Sequence, residues 1–310
     1  MKRITQMLAL LLLLTGSSQG QQQPISFIAC GDMPYNNPAD IIRFRRLTQQ
    51  INAFQPAFAI HVGDIKNGAT PCTTTYMDSI KNLFMQFEGP LLYTPGDNEW
   101  TDCDRPAAGS YNPMERLAAL RKLFYNGHTS LGKKPLPVMS QHRLRGYEDF
   151  VENQYWTMEG VSFGSFHAVG TNNHLVADPA RAGEFFHRDS ANCAWINYVF
   201  DQAVSQQHRA VVLFTQADIN FEPKLYSGFF HLVNTLRRRV QQFNGPVLLV
   251  YGDSHRFKVE KPLKDAAGKL LLNFTSCMVF GEEDVQGVRI DIWPGKGNIF
   301  SISEFLVEGN

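Results

Sequence analysis

Short runs of consecutive apolar residues alternate along this chain with stretches whose apolar positions recur every three or four residues. The first kind reads as strands, the second as amphipathic helices. Strands are expected at 25–30, 57–62, 91–94, 161–169, 210–214 and 247–251, with later ones at 269–274, 288–293 and 299–305. Helices are expected at 39–54, 74–87, 113–125, 193–206 and 226–243; the first carries Ile41, Ile42, Phe44, Leu47 and Ile51. Most early strands are continuous apolar runs rather than alternating ones, which suits strands buried on both faces. The order β-α-β-α-β over the first 125 residues predicts parallel strands joined by crossover helices. The last 60 residues are strand-rich, so their sheet is expected to be mixed. Residues 126–160 are polar, aromatic and broken by Gly and Pro; they read as a long surface excursion at the rim of a site.

The 310 residues are 44% hydrophobic and 19% charged, a globular composition with material for a large core. Residues 1–20 read as a signal peptide. Lys2 and Arg3 precede the short apolar run 8–14, and Ser18 and Gly20 suit a cleavage site. That run is too short to span a bilayer, and no later segment qualifies. The mature protein is therefore expected to be periplasmic or secreted. Removing Lys2 and Arg3 from the 29 basic residues leaves 27 against 29 acidic ones, a net charge of −2. This argues against a general nucleic-acid or anionic-membrane binder. Arg237-Arg238-Arg239 reads as a solvated helix face. None of the five cysteines forms a CxxC pair, so a zinc ribbon is not indicated. Cys30 and Cys277 sit beside apolar runs and read as buried small hydrophobes.

The candidate chemistry lies in a dipeptide. Gly-Asp occurs at Gly31-Asp32, Gly63-Asp64, Gly96-Asp97 and Gly252-Asp253, where chance composition gives about one such pair. Each follows a strand-like run directly or one Pro beyond it. In an open α/β sheet the C-terminal ends of the strands hold the site. Gly permits the sharp turn and Asp then points into the crevice. Gathered carboxylates repel one another unless cations neutralise them. Four aspartates would balance two divalent ions, a pair that clamps phosphoryl oxygens. Cys72 and Cys103 follow Asp64 and Asp97 on loops leaving the same edge, and are expected to form a disulfide permitted by export.

These motifs resemble those of the calcineurin-like metallophosphoesterase superfamily, which includes the purple acid phosphatases. The family order is D-x-H, G-D-x-x, G-N-H-[DE], a lone His after a strand, and G-H-x-H. This chain offers Asp32-Met33-Pro34-Tyr35, Gly63-Asp64-Ile65-Lys66, Gly96-Asp97-Asn98-Glu99, Gln216, and Gly252-Asp253-Ser254-His255, over roughly residues 25–275. The resemblance implies a four-layer α/β/β/α sandwich of two mixed sheets flanked by helices, formed by residues 24–310. It also implies two metals. Asp32, Asp64 and His255 would hold the first, and Asp64 would bridge to the second, completed by Asp97, Gln216 and Asp253. Glu99 matches the acidic residue that supports the family's catalytic His.

Several positions depart from that pattern. Pro34, Gln216 and Asp253 stand where ligand histidines are usual, and Asp97-Asn98 where Asn-His is usual. Asn98 cannot transfer a proton, so the general acid for the leaving group is missing. Oxygen ligands favour Mn²⁺, Mg²⁺ or Ca²⁺ over Zn²⁺ or Fe. Tyr35, one place beyond the missing first-motif His, either approaches the first metal or packs. His61 reads as a structural histidine, and Asn172-Asn173-His174 either lines the pocket or, the favoured reading, forms a plain loop. Asn67 is expected to fix its turn, and Trp100, Asp102 and Asp104 to shape substrate access. The resulting expectation is an exported enzyme that hydrolyses a phosphomonoester or phosphodiester, small-molecule or protein, through a metal-bound hydroxide. The alternative is a binding module that kept the fold and lost turnover. An aspartyl-phosphate phosphatase of the haloacid dehalogenase type would need a D-x-D on the first loop, and Asp32-Met33-Pro34 lacks it. The sequence leaves substrate identity and oligomeric state open.

Overall fold

Successive residues of a strand face opposite sides of its sheet, and this chain places apolar side chains on both. The computed structural model describes residues 23–35, 38–177, 182–295, 297 and 299–310. The expected signal peptide lies outside them. The first half runs β1 (Ile25–Cys30), α1 (Pro38–Phe54), β2 (Phe58–His61), α2 (Thr74–Phe84), β3 (Leu91–Tyr93), α3 (Pro113–Phe124), β4 (Met139–Ser140), β5 (Gln154–Met158) and β6 (Val161–Ser165). The second runs α4 (Gly170–Asn173), α5 (Gly183–Ser205), β7 (Ala210–Phe214), α6 (Phe230–Gln242), β8 (Val247–Tyr251), β9 (Lys258–Glu260), β10 (Phe274–Met278), β11 (Gly287–Ile292) and β12 (Phe300–Phe305).

Two mixed sheets result, ordered β12-β11-β1-β2-β3 and β4-β5-β6-β7-β8-β10-β9. β1, β2 and β3 are parallel, as the β-α-β-α-β order requires, and β11 and β12 add to them antiparallel. In the second sheet β6, β7, β8 and β10 are parallel, with antiparallel strands at the edges. Alternation along the strands sorts the core into layers. Phe27, Ala29, Phe58 and Ile60 meet Trp156, Phe163, Phe214, Leu248 and Val250 between the sheets. Ile28, Cys30, Ala59, Leu91 and Tyr93 face the other way, against Phe44, Leu47, Ile80 and Phe84 of α1 and α2. Val211, Leu213, Val247 and Leu249 likewise pack under Trp195, Val199, Leu232 and Leu236 of α5 and α6. The continuous apolar runs reflect this two-sided burial, and the four-layer expectation holds.

Local signals set the ends of the helices. Asn112 caps α3 by accepting from the amides of Met114 and Glu115, with Pro113 in the first turn. Thr73 caps α2 through the Tyr76 amide. Among the described residues no helix is long and apolar enough to cross a membrane. Arg237 and Arg239 lie half-buried, not on an open face. Arg239 pairs with Asp201 at 2.6 Å and Arg238 donates to Asn197, tying α6 to α5.

Three expectations are corrected. The strand placed at 269–274 begins at Phe274. Asp265 closes a turn by accepting from Ala267 and Lys269, and Leu270 and Leu272 are left exposed on the connection. The excursion at 126–160 supplies strands β4 and β5, because Tyr155 and Trp156 are buried and pair across the Glu159-Gly160 turn with β6. The strand expected through 169 ends at Ser165, which frees 166–173 to reach the site.

The inter-sheet core generates a stability prediction. Phe58 stacks on Phe27 at 4.7 Å and meets Phe163 and Trp156 edge-on at 5.2 and 5.4 Å. Phe58→Ala leaves a cavity between two rigid sheets and is expected to cost about 3–5 kcal/mol, read as a lower urea midpoint with unchanged slope.

Candidate metal centre

Six segments leave the C-terminal ends of parallel strands and meet at one edge: those after β1, β2 and β3 in one sheet and after β6, β7 and β8 in the other. Hydrogen bonds stitch them together. The Asp32 amide donates to Gly63 O at 2.9 Å, and the Gly252 amide to Gln216 O at 2.9 Å. The Asp253 amide crosses between the sheets to both Asp32 carboxylate oxygens, at 3.0 and 3.2 Å. Glu99 ties the second loop to the third. Its Oε1 accepts from the amides of Asp64 and Gly96 and from the Tyr93 hydroxyl, at 3.2, 2.7 and 2.7 Å.

The expectation that glycine makes each sharp turn needs correction. At three of the four pairs the aspartate itself lies in the left-handed region: Asp32 at φ 54°, Asp64 at 56° and Asp253 at 79°. His255 joins them at 59°. Asp tolerates this conformation better than most residues, yet such positions cost about 1–3 kcal/mol each and persist only where the surroundings over-determine them. Gly96 serves close approach instead: a Cβ there would sit 2.0 Å from Asp64 Oδ1.

The result is a convergence of acids. Carboxylate oxygens of Asp64, Asp97 and Asp253 all lie within 4.8 Å of one another, the one such group of three among the described residues. At an effective dielectric of about 20, two charges at that separation repel by about 3–4 kcal/mol. Burial, then the neighbouring Asp97, pushes Asp253 up to about 7. Burial, then Asp97 and Glu99, raises Asp64 well above the usual carboxylate range. Burial also raises Asp32, against the opposing pull of His255. Gln216 bridges two of the acids: its Nε2 donates to Asp64 Oδ2 at 3.2 Å and Asp97 Oδ1 at 3.1 Å, while its Oε1 accepts the Gly170 amide at 2.7 Å. That amide fixes the orientation, so Gln216 presents protons, not a carbonyl, to the cluster.

Asp32 and His255 form an adjoining pair, with Asp32 Oδ1 3.5 Å from His255 Nε2. The Tyr35 hydroxyl lies 3.0 Å from the same nitrogen, so Tyr35 bonds the histidine, and burial followed by Asp64 and Asp32 raises its pKa far above the usual phenol range. Asn98 donates its backbone amide to Asp64 Oδ1 at 3.2 Å; its side chain turns towards Gly68, beside Arg105. The buried His61 faces Met33 O at 2.6 Å and accepts the Gly63 amide, and burial pulls it down to about 4. It is a neutral structural histidine, as expected. Asn67 fixes its turn by accepting from Ala69 and Thr70.

Trp100 and Asp102 are buried. Trp100 is fully buried against Leu117 and Val169, with His167 and His174 edge-on to its ring. Asp102 is buried and paired with Arg105 at 2.7 Å. Sequence reasoning missed four contributors. Thr171 donates to Asp97 Oδ2 at 3.0 Å, and Gly170 holds Gln216. The Asp218 amide donates to Asp253 Oδ2 at 3.1 Å. The fully buried Lys66 ammonium opposes the charge of Glu99. The loop after β6 was the available signal for Thr171; Lys66 carried none beyond its place two residues after Asp64.

The cluster fits a divalent cation. Its donors are hard oxygens, and among the described residues no Lys or Arg forms an ion pair with any of the three acids. Gly170 permits the close approach of two of them: a Cβ there would stand 2.8 Å from both Asp97 Oδ2 and Asp253 Oδ1.

Cys72 and Cys103 are bonded, with Cα atoms 5.7 Å apart. The bond closes a loop of 31 residues between the second and third site segments. The double variant Cys72→Ser/Cys103→Ser is expected to lose about 3–4 kcal/mol in chemical denaturation. A second prediction concerns pH. Asp64 and Asp253 have folded pKa values above the unfolded one, so their contribution is full below about pH 4 and is lost as pH rises through the folded values, about 7 for Asp253. The melting temperature of chelated protein should therefore fall between pH 4 and 7 relative to Mn²⁺-supplemented protein, a gap that differential scanning calorimetry would follow.

No protein-family model matches the sequence. No curated protein matches it. Solved structures do. A dimetal phosphatase from Danio rerio superposes with TM-score 0.52 at 10% identity, covering 93% of this chain and 100% of that one. GAP50, the anchor in the inner membrane complex of Plasmodium, superposes with TM-score 0.50 at 11% identity, covering 93% of this chain and 90% of that one. With two mixed sheets flanked by helices, this chain has the metallo-dependent phosphatase fold that it shares with the Danio rerio protein.

Proposed function

We propose that residues 24–310 form an exported phosphoesterase that depends on a divalent metal. The observation that carries this reading is the convergence of the buried Asp64 and Asp97 with the half-buried Asp253, in a fold shared with a dimetal phosphatase. Those three acids would hold the ion, with Mn²⁺, Mg²⁺ or Ca²⁺ matching the oxygen donors. A bound ion supplies Lewis acidity to a phosphoryl oxygen and lowers the pKa of water. The chain's own residues orient the ligands. Asn98 N–H and Gln216 Nε2 hold the Asp64 carboxylate, Thr171 and Gln216 hold Asp97, and the Asp218 amide holds Asp253. Glu99 positions the backbone that carries Asp64 and Gly96. Every ligand is thus fixed before substrate arrives.

The chain lacks a proton donor at the third motif. The Asn98 amide donates hydrogen bonds but transfers no proton. A good leaving group departs as an anion, whereas a simple alkoxide needs protonation. The substrate class favoured is therefore an activated ester. Asn98 also motivates the second reading, a ligand-binding module, and the Plasmodium neighbour with this fold is an anchor.

The deciding experiment is a leaving-group series on purified mature protein, chelated and then supplied with Mn²⁺. Nitrophenyl esters should be hydrolysed, with rates falling steeply as the leaving group becomes more basic. Asp64→Asn should lower turnover by more than about 100-fold, because it alters a direct ligand and not an outer partner. Bound metal without turnover of even the best ester would establish the binding reading.

A further inference from the structure

Two ions need two ligand sets, and only one of the two sets implied by the family pattern is available here. This argument rests on the metal-dependent reading above. The set formed by Asp64, Asp97 and Asp253 is open. Each oxygen that accepts a hydrogen bond from Asn98, Gln216, Thr171 or Asp218 keeps a second lone pair. The missing Cβ of Gly170 lets the carboxylates of Asp97 and Asp253 approach its backbone, since a Cβ there would stand 2.8 Å from each.

The other set is closed by the protein itself. Pro34 has no donor atom where a histidine would stand. Both Asp32 oxygens share the single Asp253 amide and each keeps a lone pair, so the closure rests on the histidine and what surrounds it. Both ring nitrogens of His255 already face oxygens. Nε2 meets the Tyr35 hydroxyl at 3.0 Å and Asp32 Oδ1 at 3.5 Å, while Nδ1 lies 3.3 Å from Glu282 Oε2. An imidazole ligates only through a free lone pair. Tyr35 is 5% exposed and its ring packs edge-on to His255 at 5.7 Å, so it is wedged against the only imidazole in the set. Gln216 adds no oxygen to either position, because the Gly170 amide holds its carbonyl.

We infer that this site holds one divalent ion, among Asp64, Asp97 and Asp253, and that the Asp32–His255–Tyr35 cluster replaces the second ion with protein. Gln216 then bridges Asp64 and Asp97 from behind as a neutral donor.

The test is metal stoichiometry. Mature protein is stripped with chelator, reloaded with excess Mn²⁺, desalted and assayed by elemental analysis and low-temperature electron paramagnetic resonance. One Mn²⁺ per chain with the six-line spectrum of an isolated ion is expected. Two per chain with an exchange-coupled spectrum would overturn the inference and leave the phosphoesterase reading standing. No bound metal would overturn both. Location is tested separately on variants whose folding is verified by circular dichroism. Asp97→Asn should weaken Mn²⁺ binding by at least about 10-fold, and Asp32→Asn should leave one ion bound. Loss of the ion in Asp32→Asn, or its undiminished retention in Asp97→Asn, would refute the assigned position.

Discussion

Like charges forced together at the meeting of two sheets constrain everything else in this molecule. Asp32, Asp64, Asp97, Asp253 and Glu99 are brought to one edge, and four of them are buried. A protein gains no stability from such an arrangement alone. Burial and mutual repulsion hold Asp64 and Asp253 above the ordinary carboxylate range. Three of these aspartates also occupy left-handed backbone. Charge repulsion and backbone strain are thus both concentrated at one place, as is typical of a site whose ligand completes it.

The rest of the fold holds that edge rigid. Strands carrying apolar side chains on both faces lock each sheet between a helical layer and its partner sheet. Because β1 to β3 and β6 to β8 are parallel within their sheets, their C-terminal ends deliver site segments to the same rim. The Cys72–Cys103 bond and Glu99 fasten the second segment to the third. The Asp253 amide on Asp32 fastens one sheet's loops to the other's.

Much of this was legible in the sequence. Continuous runs such as 210–214 announced two-sided burial, and the four Gly-Asp pairs announced the edge where the acids meet. What stayed hidden followed from long-range geometry. The orientation of Gln216 depends on an amide, Gly170, 46 positions away in sequence. Thr171 reaches Asp97 only because β6 stops at Ser165, and an apolar run through 169 conceals that stop. Trp100 looked like a residue of the entrance because it follows the third motif, but the chain turns it inward onto Leu117 and Val169. The stretch 269–274 read as a strand, but Leu270 and Leu272 point to solvent while Leu271 packs on the core. Local pattern specifies which residues leave a strand end; it does not specify which atom of each side chain faces the site.

The central claim is that the acids are held ready for a cation. Anomalous diffraction from crystals grown with Mn²⁺ tests it most directly. The account requires a strong peak bounded by carboxylate oxygens of Asp64, Asp97 and Asp253, at coordination distances of about 2.0–2.6 Å. A fully grown crystal of folded protein with no peak there, or with its Mn²⁺ bound elsewhere, would contradict it.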